Sequence, residues 1–334
     1  MVRWGIIGAG VIADVRMAPA IRQATGCELV AVQARDAAKA AAFAEKHSAA
    51  RHYTDVAALV ADPQVDAVYI ASPNYLHAEQ TILAAQHGKH VLCEKPMALT
   101  LDECQAMIDA CRTHGVRLMI GYMMRFHAVH QRAREMVDFG FLGEPKLARA
   151  HFLFQLPRPG PNNWRQQPAL SGGGAVMDVA VHCVDLLRFL LSREVEAVSA
   201  FAAHDPSTYP SDETTAILLR FEGNVQGAVE VSFGVPYASN DFALYGSQGT
   251  LLGADSLGQE PTGSLRALSA EGISDVPLRP VNMYVAEVEH FARRIAEGQE
   301  PAISGEEGLQ MQRIALAVYD AVRTGQMVRS PSGF

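Results

Sequence analysis

The sequence predicts two domains of different texture: an α/β domain with a doubly wound parallel sheet, then an α+β domain whose open sheet is mostly antiparallel. Three observations carry this. Short β-branched runs alternate with helical segments through the first third of the chain, and a glycine-rich turn joins the first run to the first helix. Beyond residue 145 strand-like runs follow one another through hairpin turns. With 334 residues and 49% hydrophobic side chains, the chain has apolar material for two cores.

Taken in order, residues 4–8 read as a strand, 11–25 as a helix, 28–33 as a strand and 36–47 as a helix. The rhythm continues with a strand at 67–71, a helix at 75–87, a strand at 90–93, a helix at 101–114 stopped by Gly115, and a strand at 118–122. An amphipathic helix then runs from Phe126 to Gly140, and Gly143-Glu144-Pro145 punctuates the change of texture. Residues 1–122 are assigned to the first domain and 123–334 to the second, with the boundary falling between 122 and 145. The later strands are expected at 146–155, 195–203, 213–221, 225–233, 242–245 and 250–252, with turns at Glu222-Gly223-Asn224 and Gly246-Ser247-Gln248-Gly249. Helices are expected at 174–191, 285–297 and 306–324. The stretch from Gln155 to Ser171 carries Pro157, Pro159, Pro161 and Pro168, and is too long and irregular for a simple connector, the kind of loop that often serves function.

Charge narrows the partners. Thirty-six acidic against 28 basic residues, a net charge of -8, leave no electrostatic footprint for nucleic acid and no polybasic membrane face. No apolar stretch approaches the roughly 18–20 residues of a membrane span. The five cysteines, Cys27, Cys93, Cys104, Cys111 and Cys183, are odd in number and lack disulfide-framework or zinc spacing, so a soluble, unprocessed chain in a reducing cytoplasm is expected.

Gly8-Ala9-Gly10-Val11-Ile12-Ala13 follows a strand and opens a helix, the context a dinucleotide fingerprint requires. The first glycine permits the tight turn, the second lets backbone approach a pyrophosphate, and the helix N-terminus offers N–H groups and a positive dipole end. The alternative is a plain strand-to-helix turn. Cofactor choice is read at the end of the second strand, where a carboxylate would accept the ribose hydroxyls of NAD. Ala34 stands at that tip and Arg35 follows with a guanidinium suited to a 2′-phosphate, which favours NADP over NAD. In the competing reading Asp36 is the ribose carboxylate and Arg35 stacks on adenine or lies in solvent.

Two further segments end at the carboxyl edge of the predicted sheet, where ligands bind in doubly wound folds: Ser72-Pro73-Asn74 with His77, and Gly88-Lys89-His90-Val91-Leu92-Cys93-Glu94-Lys95-Pro96. Pro96 ends the strand and fixes the direction in which Lys95 leaves it. As composition alone, Lys95 is a solvated strand-end charge. The helix from Gly174 is so apolar that it should be buried, yet Asp178, His182 and Asp185 recur on it at i, i+4 and i+7. Buried carboxylate and imidazole groups need partners. On the residues alone they are a cap-region charge with a satisfied core histidine, or a proton-exchanging pair; no third ligand at metal spacing accompanies them.

These motifs together resemble the glucose-fructose oxidoreductase / inositol dehydrogenase family. Arg125-Phe126, Gly143-Glu144-Pro145, Trp164-Arg165 and Gly172-Gly173-Gly174 leading to Asp178 and His182 match as well, and the landmarks are collinear to about residue 190. The resemblance implies a Rossmann domain and a mixed α+β domain whose open sheet makes homodimer or homotetramer contacts. It implies an NAD(P)-dependent oxidoreductase acting on a sugar, anhydrosugar or polyol, and Arg35 makes NADPH-linked reduction the favoured direction. By the family's Glu-Lys-Pro and Asp-x-x-x-His patterns, Lys95 is the catalytic or substrate-orienting cation and His182 the proton carrier, with Asp178 beside it. Cofactor contacts are implied for Gly8, Ala9, Gly10, Val11, Ile12, Ala34, Arg35, Ser72, Pro73, Asn74, His77, Glu94, Lys95, Trp164, Arg165 and Tyr284. Substrate contacts are implied for Lys95, Arg125, Trp164, Asp178 and His182, and no metal is called for. Within the family the chain is similar to the anhydrosugar reductases, departing at Gly121-Tyr122-Met123-Met124 and at the Ala34-Arg35 tip. The family also holds NAD-dependent glycosidases or lyases that work through transient oxidation, and non-catalytic nucleotide-sensing regulators. Retention of Lys95, Asp178 and His182 together argues against a pure sensor.

Overall fold

The structure is a computed structural model that describes residues 1–156, 164–204, 209–330 and 334. It divides into two compact units, one of Met1–Met123 with Tyr284–Gln312, the other of Met124–Met283 with Arg313–Phe334.

The first unit is built on six parallel strands, β1 (Val2–Ile7), β2 (Cys27–Gln33), β3 (Arg51–Tyr53), β4 (Ala67–Ile70), β5 (His90–Glu94) and β6 (Leu118–Gly121), in the spatial order β3-β2-β1-β4-β5-β6. That order is the doubly wound one, with a switch point at β1/β4. β4 and β6 are buried at every position and β1 at all but one, the near-continuous apolar run of a parallel sheet covered on both faces. The covering helices are α1 (Ala18–Gln23), α2 (Ala37–His47), α3 (Val56–Val60), α4 (His77–Gln86) and α5 (Leu101–Thr113). Their starts are chemically marked: Asp36 caps α2 through Lys39 N, and Thr100 and Glu103 form a reciprocal capping box on α5.

The second unit begins with α6 (Ala128–Asp138) and β7 (Pro145–Leu153), followed by α7 (Pro168–Ser171) and α8 (Val181–Leu191). Strands β8 (Val195–Ala203), β9 (Thr214–Phe221), β10 (Val225–Ser232), β11 (Phe242–Gly246), β12 (Gly249–Ala254), β13 (Ser264–Ser269) and β14 (Gly272–Asp275) come next, and β15 (Val328–Arg329) closes the sheet. The order is β14-β13-β12-β11-β7-β10-β9-β8-β15. β7 runs parallel to β10 and the other described pairs are antiparallel, so the sheet is mixed but mostly antiparallel. β9 alternates exposed and buried residues along its first six positions, the mark of a sheet covered on one face. Of the proline-bearing stretch, residues 157–163, with Pro157, Pro159 and Pro161, lie outside the described residues.

The chain returns to the first unit through α9 (Met283–Glu297), and α10 (Gly305–Thr324) belongs to that unit through Gln312. A linear reading of two successive domains does not contain this return. Its cause is apolar demand at the parallel sheet: Trp4 of β1 is fully buried with Phe291 of α9 at 5.9 Å between ring centroids, and Ile120 N of β6 donates to Ile303 O at 3.0 Å.

Candidate active site

In the first unit the glycine turn is shaped by its neighbours. Gly8 has φ 96°, and a Cβ there would meet the Ala71 carbonyl and Ser72 N at 2.9 Å, so only glycine fits. Gly10 differs. A Cβ on Gly10 would meet nothing nearer than Ala71 O at 3.8 Å, so protein packing does not demand its bareness. The absent side chain leaves backbone open beside the helix start at Val11, itself 79% exposed although apolar, and this is the cradle a pyrophosphate needs. The helix then takes a π turn over Ala13–Met17 before α1, an irregularity often found at functional sites.

At the end of β2, Ala34 is buried while Arg35 and Asp36 are exposed. One Asp36 oxygen already accepts from Lys39 N at 2.7 Å as the cap of α2, which ties that carboxylate to helix architecture. Ser72 donates its hydroxyl to Gln80 Oε1 at 2.7 Å, and Asn74 opens a short 3₁₀ turn over Asn74–Leu76 after Pro73. His77, expected among the cofactor contacts, is fully buried. Its Nε2 lies 3.0 Å from Ser72 O and its Nδ1 2.9 Å from Pro96 O, and burial pulls its pKa down. The ring therefore joins the two strand ends that bear Asn74 and Lys95. Lys95 itself is half-buried, with its backbone N–H donating to Glu94 Oε2 at 3.3 Å. Tyr69 of β4, fully buried, donates its hydroxyl to Glu94 Oε1; burial first, then the Glu94 charge, pushes its pKa far up. Tyr284, 3% exposed, opens α9 in the same unit.

In the second unit the expected acidic and imidazole residues lie on one helical stretch but in graded burial. Asp178 is half-buried, His182 is 4% and Asp185 1% exposed. A π turn over Val176–Ala180 precedes α8, so the stripe does not run along a regular α-helix. Its deepest member is paired: Arg125 donates Nε to both Asp185 oxygens at 3.0–3.1 Å and Nη2 to Oδ1 at 2.6 Å, and sits 5.7 Å from the Phe189 ring centre. Arg125, expected to touch substrate, is thus held in a buried bidentate pair that braces α8. Trp164 and Arg165 stack on each other, guanidinium 4.5 Å from the ring centre, and Tyr209 donates its hydroxyl to Arg165 O at 3.0 Å. Burial, then the charge of Asp178, raises the Tyr209 pKa.

Two residues of these units are not found by reading the sequence. Asp212 accepts from Gly174 N at 2.8 Å, Val176 N at 2.7 Å, Tyr319 Oη at 2.7 Å and Ser211 Oγ at 3.0 Å, so a carboxylate plugs the start of the helix that carries Asp178 and His182. The glycines before that helix answer to the same cluster: a Cβ on Gly173 would run into Tyr319 and one on Gly174 into the Asp212 carbonyl oxygen. Nothing local in the sequence marks Asp212 as the plug, since apart from the adjacent Ser211 its partners lie 36 to 38 residues upstream and 107 downstream. Glu287 does leave a signal. It occupies an apolar-face position of α9 with Tyr284, Val288 and Phe291, where an acid is out of place.

Comparisons with known proteins agree with both halves of this geometry. Residues 2–122 match a family model described as an oxidoreductase family with an NAD-binding Rossmann fold, and residues 130–252 match the GFO/IDH/MocA C-terminal domain. The chain is 36% identical to a 1,5-anhydro-D-fructose reductase of Ensifer adhaerens over 100% of both chains. It is 33% identical to D-xylose 1-dehydrogenase (NADP(+)) 2 of Haloferax volcanii over 97% of this chain and 98% of that one. Among solved structures, aldose-aldose oxidoreductase from Caulobacter crescentus, complexed with glycerol, superposes with a TM-score of 0.93 at 29% identity, covering 98% of this chain and 99% of the other.

Proposed function

The chain belongs to the GFO/IDH/MocA oxidoreductase family, and on that premise we propose that it is an NADPH-linked reductase of a sugar or anhydrosugar carbonyl. At the coarser level it is an NAD(P)-dependent sugar oxidoreductase, in line with its anhydrofructose reductase and xylose dehydrogenase relatives. The observation that carries the reading is the His77 strut: it fixes the Asn74 and Lys95 strand ends at the carboxyl edge of the parallel sheet, next to the open glycine turn.

When bound, the nicotinamide supplies or accepts the hydride. Gly8, Ala9, Gly10, Val11 and Ile12 would hold the pyrophosphate through backbone, and Ser72, Pro73, Asn74, Glu94 and Tyr284 would line the nicotinamide side. Arg35, exposed after the buried Ala34, would pair with a 2′-phosphate; Asp36 is engaged in capping, which supports NADP over NAD. Lys95 would stabilise negative charge developing on the substrate oxygen. His182 would deliver the proton in reduction and take it in oxidation, an imidazole task because its unperturbed pKa is near working pH, with Asp178 orienting it. Trp164, stacked with Arg165, would offer an aromatic face to the sugar.

Lys95→Ala should lower turnover with NADPH and a responsive ketose, osone or anhydrosugar about a thousandfold while leaving NADPH binding, read by fluorescence, within a few fold. Unchanged turnover removes Lys95 from the reaction. A homodimer or homotetramer through the second unit's sheet is supported by apolar side chains on its open face, Phe201 at 81% and Leu218 at 62% exposed; a one-chain mass by light scattering would refute it. No helix among the described residues is long and apolar enough to cross a membrane. Five free cysteines support a reducing cytoplasm as the site of action.

A further inference from the structure

The sealed side chain of Glu287 is the one acidic group of the first unit that the reaction above leaves unused and the fold leaves unsatisfied. It is 1% exposed, and neither carboxyl oxygen has a hydrogen-bond partner among the described residues. The titratable groups that face it are Glu94 at the end of β5, Tyr69 on β4 and Tyr284 one turn back on α9. Its charged neighbours along α9 look elsewhere: Glu289 accepts from Thr25 N and His290 from Ala302 N. An ionised carboxylate in such a setting would be both desolvated and opposed by the Glu94 charge. Two carboxyls that repel each other, one of them sealed, cannot both ionise cheaply, and Glu94, only half-buried, is the one that already accepts a hydroxyl, from Tyr69, and the Lys95 backbone N–H.

We propose that Glu287 is a positioning residue held as a neutral carboxylic acid facing Glu94, where its bound proton leaves Glu94 the one ionised carboxyl of the pair and thereby sets the charge balance around the neighbouring Lys95. The proposal rests on the reading of Lys95 as the cation of the site. Burial first and the Glu94 charge second raise the Glu287 pKa well above the carboxylate range, in keeping with this geometry. Stability then has a definite sign. The unfolded chain releases this proton above about pH 4.3 while the folded chain keeps it, so the folded form binds more protons and loses stability as pH rises from there toward the folded pKa.

Glu287→Gln copies the neutral acid in shape and charge, and three measurements on the full chain read the difference. Infrared spectra of the unliganded protein near neutral pH should show a protonated-carboxyl C=O band that is missing from Glu287→Gln. The difference in melting temperature between variant and wild type should move in favour of the variant by roughly 2–5 °C between about pH 5 and pH 8. Turnover of the variant should match wild type near neutral pH, and on the alkaline side the wild type should fall below the variant, beyond the loss that His182 and Lys95 impose on both. Absence of the infrared band, or a melting difference indifferent to pH, overturns the neutral acid. Identical pH profiles for the two proteins overturn the positioning role and leave Glu287 a packing residue. The infrared and melting measurements need no substrate, so they decide on the proton even if the sugar reaction or the role of Lys95 fails its own test.

Discussion

Two helices of this protein start in the same way and end up doing opposite things. The helix after Gly8-Ala9-Gly10 and the helix after Gly172-Gly173-Gly174 both follow a glycine-rich turn and both take a π turn within their first residues, Ala13–Met17 and Val176–Ala180. The first is left open, with room around Gly10 and Val11 exposed. The second is closed by the protein's own carboxylate, Asp212, which takes the N–H groups of Gly174 and Val176. The lesson is that a glycine-rich turn before a helix does not by itself mark a ligand site. What distinguishes the two is the space a Cβ would take: room for it at Gly10, with nothing nearer than Ala71 O at 3.8 Å, and protein already in it at Gly174.

Placing the same small side chain at both turns gives the sharpest contrast. Gly174→Ala drives a methyl into the Asp212 carbonyl and should cost about 3 kcal/mol or more in denaturant unfolding. Gly10→Ala should leave unfolding within about 0.5 kcal/mol of wild type yet weaken NADPH binding at least about tenfold, because its methyl takes the place of the pyrophosphate. Equal stability losses at the two sites would erase the distinction. Next in size, Asp212→Asn replaces two anionic acceptors with a group that must turn one NH₂ toward backbone donors, and should cost about 2–3 kcal/mol while NADPH binding by the first unit stays unchanged. Loss of nucleotide affinity in that variant would contradict a purely internal role for the carboxylate. Smallest is Arg35→Ala, exposed just beyond the end of β2. It should weaken NADPH by about tenfold, roughly 1.4 kcal/mol, and NADH hardly at all, as read by parallel fluorescence titrations.

The contrast between the two helix starts also separates what is legible in the amino-acid sequence from what is not. The open end is legible because its parts are contiguous: strand, Gly8, Gly10 and helix follow one another in about 20 residues, and β1, β2, β4, β5 and β6 fall within a residue or two of their expected limits. Buried parallel strands advertise themselves as apolar runs. Short strands at or next to a sheet edge do not, and β3, β13, β14 and β15, of two to six residues, have no counterpart among the expected elements. The closed end is only half legible. The polar stripe Asp178, His182 and Asp185 stands out against an apolar helix, but the partners that make it tolerable, Arg125 for Asp185 and Asp212 for the helix start, come from elsewhere in the chain and carry no local pattern. His77 belongs to the expected segment, and only three dimensions reveal that both its nitrogens face backbone carbonyls.

The return of residues 284–312 to the first unit has a consequence for how the molecule is born. A ribosome delivers β1 through β6 early, but Trp4 lacks Phe291, and the last strand lacks its hydrogen bond to Ile303, until nearly the whole chain has emerged. Domains usually complete themselves in order of synthesis. Here the nucleotide-binding half has to remain unfinished, without the cover that residues 284–312 supply, through the translation of the 160 residues Met124–Met283, so the first half to be made is among the last to be sealed. A ribosome stalled anywhere inside that interval would release a sheet already flanked by α1–α5 but with Trp4 lacking Phe291 and Ile120 lacking Ile303.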